Sequence, residues 1–251
     1  MRSYEIAFQT DTGCKRAGAP NQDSLLVLPA DGTRGLPPLL VVADGMGGHA
    51  GGDVASRMVV EAMAARYRLA QPAEDPLVLL GECLQNSLEA LQLHAKQEPG
   101  LSSMGSTVVA AILHDDHVTV ANVGDSRAYL IHGLEMTLLS LDHSVVGEQV
   151  RLKIITEQEA REHPLRSRLT QSISPKRTTL KPHICQVPFG EDDTLVLCSD
   201  GLWGVIPESM LQSAATELPP GEAARTLVQL AIDHGGPDNI TVIVARWDGL
   251  A

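Results

Sequence analysis

The sequence predicts an α+β fold whose strands pair antiparallel, and three observations support this prediction. Seven short apolar runs rich in β-branched residues have the length of strands, and pairs of helices, not single alternating helices, separate their groups. Only His114-Asp115-Asp116 separates the runs at 107–113 and 117–122, and so short a link favours a hairpin. A length of 251 residues, 43% of them hydrophobic and 20% charged, is enough to bury a core.

The elements follow one another in a clear order along the chain. The predicted strands lie at 25–28 and 39–43, then at 107–113, 117–122 and 127–131, and finally at 194–198 and 240–245. A helix follows Asp53, with apolar residues at helical spacing. A second helix has Asp75 as its N-cap and Pro76 at its first position. Its leucines, Leu77 to Leu91, recur every three or four residues, which indicates a face that packs on the core.

The last third of the chain contains a further helical pair and one unusual region. Helices at 207–216 and 221–234 are predicted before the final strand. The region 145–185 is richer in charge and carries one short helix with a capping box formed by Thr156 and Glu159. The basic stretch HPLRSRL follows that helix. We interpret this region as an insertion lying over the main body.

The charge balance excludes several classes of partner. The chain has 31 acidic and 19 basic side chains, a net charge of −12, which argues against nucleic acids and anionic membranes. The first residues lack a secretory signal, and Pro37 and Pro38 interrupt the apolar stretch at 36–43, which is too short to span a bilayer. Four widely separated cysteines indicate reduced thiols. We therefore expect a cytoplasmic protein.

Five aspartates stand at the ends of predicted strands: Asp23, Asp44, Asp125, Asp200 and Asp238. A strand end holds a carboxylate rigidly, and the glycine after Asp44 or Asp200 lets the backbone bring a carbonyl close to a ligand. Oxygen donors of this kind suit Mg²⁺ and Mn²⁺. A single Asp-Gly is most often only a turn, and spacing alone does not establish that the five converge. The glycine-rich run GMGGHAGGD could also hold a phosphate, but it lacks the P-loop pattern.

Six segments in order resemble the type 2C metal-dependent protein serine/threonine phosphatases, in their bacterial branch. They are PNQDS, VVADGMGGHAGG, GSTVVAAIL, NVGDSRAYL, LCSDGLW and GGPDNITVIVA, and the resemblance spans about residues 5–247. It implies a four-layer α/β/β/α sandwich of two antiparallel sheets flanked by helices. It also implies a single catalytic domain, 1–251, with a flap insertion at about 145–180. The implied activity is hydrolysis of phosphoserine and phosphothreonine by direct attack of a metal-bridging hydroxide.

The resemblance also implies a metal centre. Two Mn²⁺ or Mg²⁺ ions are expected at its core, with a third ion bound more weakly. Asp44 would bridge the two core ions, and the Gly45 carbonyl would bind one of them. Asp200 and Asp238 would complete the other, and Asp125 would share the third ion with Asp200.

Several positions depart from the family pattern or act less directly. Asp23 matches a position that supports the metal cluster through water. Arg16 is the candidate phosphate-binding residue, although it lies two residues upstream of the common spacing, and Lys15 can share the role. Gln22 replaces a glutamate, but an amide still holds a metal-bound water by hydrogen bonding. Met46 replaces a histidine proposed as general acid, so the leaving group must take its proton from water or another group.

The implied partners are phosphorylated proteins, including a bacterial Ser/Thr kinase or its targets, and we expect a monomer. In the flap, His163 and Arg168 are candidate substrate contacts. Two other functions remain open. A phosphatase-like binding module that has lost catalysis has the altered arginine spacing as its only support. A two-metal phosphodiesterase or nuclease is disfavoured because the charge of −12 repels a polyanion.

Overall fold

The computed structural model describes residues 3–47 and 51–248. Its strands are β1 Tyr4–Asp11, β2 Asp23–Leu28, β3 Leu39–Met46, β4 Gly105–Ser106, β5 Val108–Leu113, β6 His117–Val123, β7 Arg127–His132, β8 Glu135–Leu138, β9 His183–Pro188, β10 Asp193–Cys198 and β11 Ile240–Trp247. Its helices are α1 Gly52–Arg68, α2 Pro76–Gln97, α3 Val145–Arg151, α4 Glu157–Glu162, α5 Asp200–Trp203, α6 Glu208–Glu217 and α7 Pro220–Asp233.

The strands form two antiparallel sheets, as predicted. One sheet has the order β1-β11-β10-β7-β8, and the other has the order β2-β3-β5-β6-β9 with β4 beside β3. Helices α1 and α2 pack on the second sheet, and α6 and α7 pack on the first. The apolar faces of the two sheets meet each other, as in other aligned sheet packings. The four-layer sandwich that the resemblance implied is therefore confirmed.

Aliphatic side chains fill each of the three interfaces between layers. Leu40 and Ile243 are fully buried between the two sheets, and Leu227 of α7 is fully buried against the first sheet. The leucine stripe of α2 packs on the core from Leu80 onward, whereas Leu77 at its start is 37% exposed. Burying one such side chain contributes about 1.5–3 kcal/mol, so these aliphatic layers supply the packing that scarce aromatics cannot.

The helix and hairpin signals are confirmed by their local contacts. The Asp75 carboxylate accepts a hydrogen bond from the Leu77 backbone N–H at 2.9 Å, and Pro76 occupies the first turn. The capping box is present too, because Thr156 and Glu159 bond each other's backbone N–H. The pairing of Leu113 with Val118 confirms the hairpin between β5 and β6.

Four strands were not predicted: the two-residue β4 beside β3, and β1, β8 and β9, which lie at sheet edges. An edge strand is exposed along one side, so it lacks the continuous apolar run by which buried strands are recognised. Helix α3 was also missed, and its start is marked only by Ser144, whose side chain accepts from the Gly147 N–H. Within the described ranges, no helix is both long and apolar enough to cross a bilayer.

Candidate metal centre

All five strand-end aspartates lie at one end of the sandwich, where the two sheets meet. Asp23 begins β2 and pairs directly with Asp44 at the end of β3. Asp125 lies in the turn between β6 and β7, Asp200 follows β10, and Asp238 precedes β11, the neighbour of β10. Four of them line a cleft of about 570 Å³, while Asp23 lies beneath it and is 8% exposed. The fold therefore brings together residues that are more than 200 positions apart.

Burial and mutual repulsion raise the pKa of these carboxyl groups. Burial raises the pKa of Asp23 to about 7 and that of Asp200 to about 6, against an ordinary value near 4. Burial also raises the pKa of Asp44 well above its usual range, with additional repulsion from Asp23, Asp200, Asp125 and Asp238. The pKa of Asp125 is raised by burial and by Asp200. Ionising the whole cluster is therefore unfavourable unless positive charge is supplied.

Two buried acceptor atoms in this cluster, Asp23 Oδ1 and Asp200 Oδ1, have no hydrogen-bond partner among the residues that the structure describes. A buried unpaired acceptor is costly, so it points to a ligand that completes it. The other Asp23 oxygen accepts from the Ser199 hydroxyl at 2.8 Å. Within 3–47 and 51–248, no three acidic, histidine or cysteine side chains are placed so that they could hold a metal ion by themselves. Carboxylates with free oxygens and a raised pKa nevertheless fit hard divalent cations, which take carbonyl and water ligands as well.

The glycines after Asp44 and Asp200 are required by close backbone contacts. A Cβ on Gly45 would lie 1.9 Å from the carbonyl oxygen of Gly52, and one on Gly201 would lie 1.9 Å from that of Asn239. The Gly45 N–H donates to the Gln22 carbonyl at 3.0 Å. The two loops that carry aspartates are thus held against neighbouring loops, which keeps the carboxylates at the cleft.

A tight turn positions Arg16 at the cleft. Residues Cys14–Arg16 form one 3-10 turn, and Gly18 follows with φ of +89°, a conformation that favours glycine. The Ala19 N–H donates to the Arg16 carbonyl at 2.9 Å. This turn points the Arg16 side chain into the cleft, where its Nε lies 3.0 Å from Asp238 Oδ1.

Arg16 is also held by two amide side chains. Its guanidinium donates to Gln22 Oε1 at 2.8 Å, and Asn239 Oδ1 lies 3.4 Å away. Asn239 further accepts from the Gln22 backbone N–H at 2.8 Å, which ties the two loops together. Lys15 lines the same cleft, and its ammonium group makes no ion pair among the described residues. Arg16 is therefore held beside Asp238, whereas Lys15 lines the cleft without such contacts among the described residues.

A buried arginine beside the cleft was not identified from the sequence. Arg127 lies in the segment NVGDSRAYL, and only 2% of it is exposed. It donates to Asp142 at 2.7–3.2 Å and lies over the ring of Trp203, 3.6 Å from its centroid. The Trp203 Nε1–H in turn donates to the Asp125 carbonyl at 3.0 Å. Arg127 therefore links Asp142, three residues before the flap, through Trp203 to the loop that carries Asp125, and only tertiary contacts show this role.

The flap borders the cleft through residues other than the two singled out from the sequence. His163 accepts from the Leu165 N–H and Arg168 is exposed, and neither lines the cleft. Ser167 lines it, and Arg166 lines an adjoining cavity of about 210 Å³ that also reaches Asp200 and Asp238. The basic stretch HPLRSRL was the available signal, but its spacing does not tell which arginine faces inward.

We expect the metal-free protein to lose thermal stability as the pH rises from about 4 to about 7. The raised pKa values of Asp23 and Asp200 mean that the folded state binds more protons than the unfolded state across this window. The free energy of unfolding therefore decreases with increasing pH. Thermal melts in a chelator should show a fall of several degrees, since 1 kcal/mol corresponds to about 2–4 °C.

Mn²⁺ provides the control for this pH dependence. Saturating Mn²⁺ should abolish or reverse the slope, because the cation favours the ionised carboxylates. Melts with the same slope in chelator and in Mn²⁺ would contradict the assignment of the raised pKa values to this cluster.

Comparison with known proteins agrees with this geometry. The family profile Protein phosphatase 2C matches residues 10–230. The serine/threonine phosphatase Stp of Listeria monocytogenes is 35% identical over 245 residues, which cover 96% of this chain and 95% of Stp. The crystal structure of the Mycobacterium tuberculosis serine/threonine phosphatase PstP/Ppp superposes with a TM-score of 0.86 at 33% identity and covers 97% of this chain and 98% of that one. The catalytic domain of PstP in complex with two manganese ions has a TM-score of 0.84 at 31% identity, with 97% of each chain covered.

Proposed function

Because this chain belongs to the protein phosphatase 2C family and is a metal-dependent protein serine/threonine phosphatase, we propose that the aspartate-lined cleft is its active site. The observation that carries this proposal is the convergence of Asp44, Asp125, Asp200 and Asp238 on one cleft, with unpaired buried acceptors on Asp200 and on Asp23 below. Such a set of oxygen donors suits hard divalent cations and little else.

The family membership and the position of these residues at one cleft support the following ligand roles. Asp44 would be shared by two core Mn²⁺ or Mg²⁺ ions, and the Gly45 carbonyl would bind one of them. Asp200 and Asp238 would hold the other, and Asp125 with Asp200 would hold a third ion more weakly. When bound, these ions supply Lewis-acid charge for the phosphoryl oxygens and lower the pKa of a bound water.

The remaining residues position the metal ligands and the substrate. Asp23, fixed by Ser199, supports the cluster through water from below the cleft. Arg16 exchanges its contact with Asp238 for the phosphate oxygens, while Gln22 and Asn239 keep its side chain at the cleft. A guanidinium donates two parallel hydrogen bonds to one phosphate, which Lys15 cannot do. Met46 also lines the cleft and cannot transfer a proton, so the chain has no general acid at that position.

The substrates are phosphoproteins, as the family implies. We propose that these substrates include a bacterial Ser/Thr kinase or the proteins that it phosphorylates. We further propose that residues 1–251 act as one catalytic domain with the flap at about 145–180. It would be monomeric, cytoplasmic, and without a nucleic-acid or membrane partner. The excess of 31 acidic over 19 basic residues supports the last point.

The assignment of Arg16 is tested by comparing Arg16→Met with Lys15→Met. We expect Arg16→Met to lower kcat/KM for a phosphothreonine peptide in Mn²⁺ by about 30- to 100-fold, because hydrogen bonds to a charged group contribute about 1.5–3 kcal/mol. Lys15→Met should lower it by no more than about threefold. Phosphate release is measured in Mn²⁺, in Mg²⁺ and in chelator, and Mn²⁺ affinity is measured by calorimetry for each variant.

The same measurements separate the competing functions. Peptide hydrolysis that requires Mn²⁺ or Mg²⁺ supports the active enzyme, whereas a folded protein that binds neither ion and releases no phosphate would favour the binding module. Comparable cleavage of a phosphodiester would favour the nuclease. Equal losses in Arg16→Met and Lys15→Met would remove the distinction drawn between the two cations.

A further inference from the structure

The flap differs in charge from the rest of the molecule. Residues 145–180 contain seven basic and four acidic side chains, a net charge of +3, while the remaining chain carries −15. Two of the four acids are already engaged, since Glu157 contacts Arg127 and Glu159 belongs to the capping box. The positive charge of the flap is therefore only partly compensated within the flap.

Most of the basic side chains in the flap have no partner among the described residues. Arg161 donates to the Ile206 carbonyl at 3.0 Å, and Arg177 donates to the Thr170 carbonyl. Five other side chains make no hydrogen bond or ion pair in the part of the chain that the structure describes: Arg151, Lys153, Arg166, Arg168 and Lys176. A group of unpaired cations on a strongly acidic protein indicates a surface that receives an anionic partner.

Exposed apolar side chains lie among these cations. Leu152 and Ile154, on either side of Lys153, are 62% and 65% exposed, and Leu165 next to Arg166 is 38% exposed. Neighbouring exposed apolar residues rimmed by charge are typical of interaction sites. The surface thus offers both charge and apolar contact to a peptide segment.

This surface begins at the catalytic cleft. Val150 and Arg166 line the cavity that also reaches Asp200 and Asp238. Arg151 directly follows Val150 but lies on another side of α3, where it lines a separate cavity with Asp142 and Glu148, and Lys153 lies at most about 11 Å along the chain from Val150. An extended peptide advances about 3.3 Å per residue, so about six residues span about 20 Å. That length exceeds the width of a helix, about 10–12 Å, and lets a flanking segment pass α3 toward these cations.

We propose that the exposed face of the flap binds an anionic stretch that flanks the phosphorylated residue in the substrate. The anionic group is a carboxylate or a second phosphate, which share the chemistry that arginine and lysine recognise. The charge of −15 elsewhere does not prevent this, because salt screens charges beyond about 8 Å at physiological ionic strength. The inference rests on the proposed function and adds a substrate class to it.

The test compares three phosphothreonine peptides, flanked by glutamates, by a second phosphothreonine or by neutral residues. Each is assayed in Mn²⁺ with the wild type and with Arg151→Glu/Lys153→Glu. We expect the wild type to prefer each anionic peptide over the neutral one by about three- to tenfold in kcat/KM, since exposed ion pairs contribute up to about 1 kcal/mol each. The variant should lose this preference for both, and the wild-type preference should fall at high salt.

A matched control is Arg68→Glu/Arg225→Glu, which makes the same change in net charge away from the flap. Arg68 ends α1, about 22 Å by helix rise from Asp53 at the cleft, and Arg225 lies exposed on α7. This control variant should keep the preference for anionic peptides. If charge reversal unfolds the flap, Arg151→Gln/Lys153→Gln gives the same comparison with a smaller perturbation.

Small-substrate turnover separates this inference from the proposed function. The wild type, Arg151→Glu/Lys153→Glu and Arg68→Glu/Arg225→Glu should hydrolyse a small aryl phosphate at the same rate. If none of the three proteins hydrolyses it, the proposed function is overturned. If this turnover is intact, three results would overturn the inference. The wild type could show no preference for anionic peptides, the flap variant could keep the wild-type preference, or the flap variant and the control could lose the preference equally. Flap-dependent binding to anionic vesicles with no peptide preference would also overturn it and point to a lipid surface.

Discussion

Asp44→Asn is expected to abolish turnover, lowering kcat for a phosphothreonine peptide in saturating Mn²⁺ by at least about 1,000-fold. Asp44 is the proposed bridge between the two core ions, so an amide at this position removes a shared anionic ligand from both. Calorimetric titration should show that high-affinity Mn²⁺ binding is lost together with activity.

The same substitution should stabilise the protein when metal is absent. Burial and four neighbouring aspartates raise the pKa of Asp44 well above its usual range, so its carboxylate destabilises the metal-free fold at neutral pH. In chelator near pH 7.5 the melting temperature of Asp44→Asn should exceed that of the wild type. Added Mn²⁺ should stabilise the wild type far more than the variant.

Asp192→Asn, at an exposed turn before β10, is the control for loss of one negative charge. It should leave turnover, Mn²⁺ affinity and melting temperature close to those of the wild type. Retained turnover in Asp44→Asn, or a lower melting temperature in chelator, would contradict the role given to Asp44.

Arg127→Met is expected to lower the melting temperature by about 10 °C. Arg127 and Asp142 are both buried, and the substitution leaves the Asp142 carboxylate without its counterion. Removing one partner of a buried ion pair costs about 3–5 kcal/mol, and 1 kcal/mol corresponds to about 2–4 °C. Thermal melts in Mn²⁺ measure the loss. Affinity for the third ion proposed at Asp125 should fall too, because Arg127 contacts Trp203, which donates to the Asp125 carbonyl.

The double variant Arg127→Met/Asp142→Leu separates the unpaired charge from lost packing. Replacing both ions by apolar groups should restore most of the melting temperature, since a buried ion pair contributes little over a hydrophobic pair. Arg151→Met, at an exposed arginine with no partner, should change it by less than about 2 °C. A stable Arg127→Met, or a double variant as unstable as the single one, would show that the ion pair is not what holds this region.

The elements predicted correctly are those whose signal is local. The seven predicted strands and the four long helices have apolar runs or stripes that are buried in the core, and the Asp75 cap and the Thr156–Glu159 capping box are contacts within one turn. Edge strands such as β9 were not predicted, because they are partly exposed to solvent and lack a continuous apolar run. Family resemblance supplied the four-layer arrangement, which periodicity alone does not define.

The site divides in the same way between local and long-range information. The Asp-Gly turns at Asp44 and Asp200 are visible in the sequence, since a carboxylate at a strand end and a glycine after it are neighbours along the chain. Which flap arginine lines the adjoining cavity, Arg166 or Arg168, depends on how the flap packs, and no spacing rule reports that. In the sequence, nothing distinguishes Arg127 from other polar residues in strands, and only its contacts with Asp142 and Trp203 reveal its role.

The amino-acid sequence was enough to identify seven strands, four long helices, the acidic balance and the five aspartates at strand ends, because each depends on a residue and its near neighbours. The tertiary contacts were needed to show that four of these aspartates line one cleft and that a turn at Cys14–Arg16 carries Arg16 to Asp238. They were also needed to show that Arg166 of the flap lines the adjoining cavity. The physical reason is that pKa shifts, ion pairs and metal sites depend on distance and burial, which are set where two sheets pack face to face and not by position along the chain.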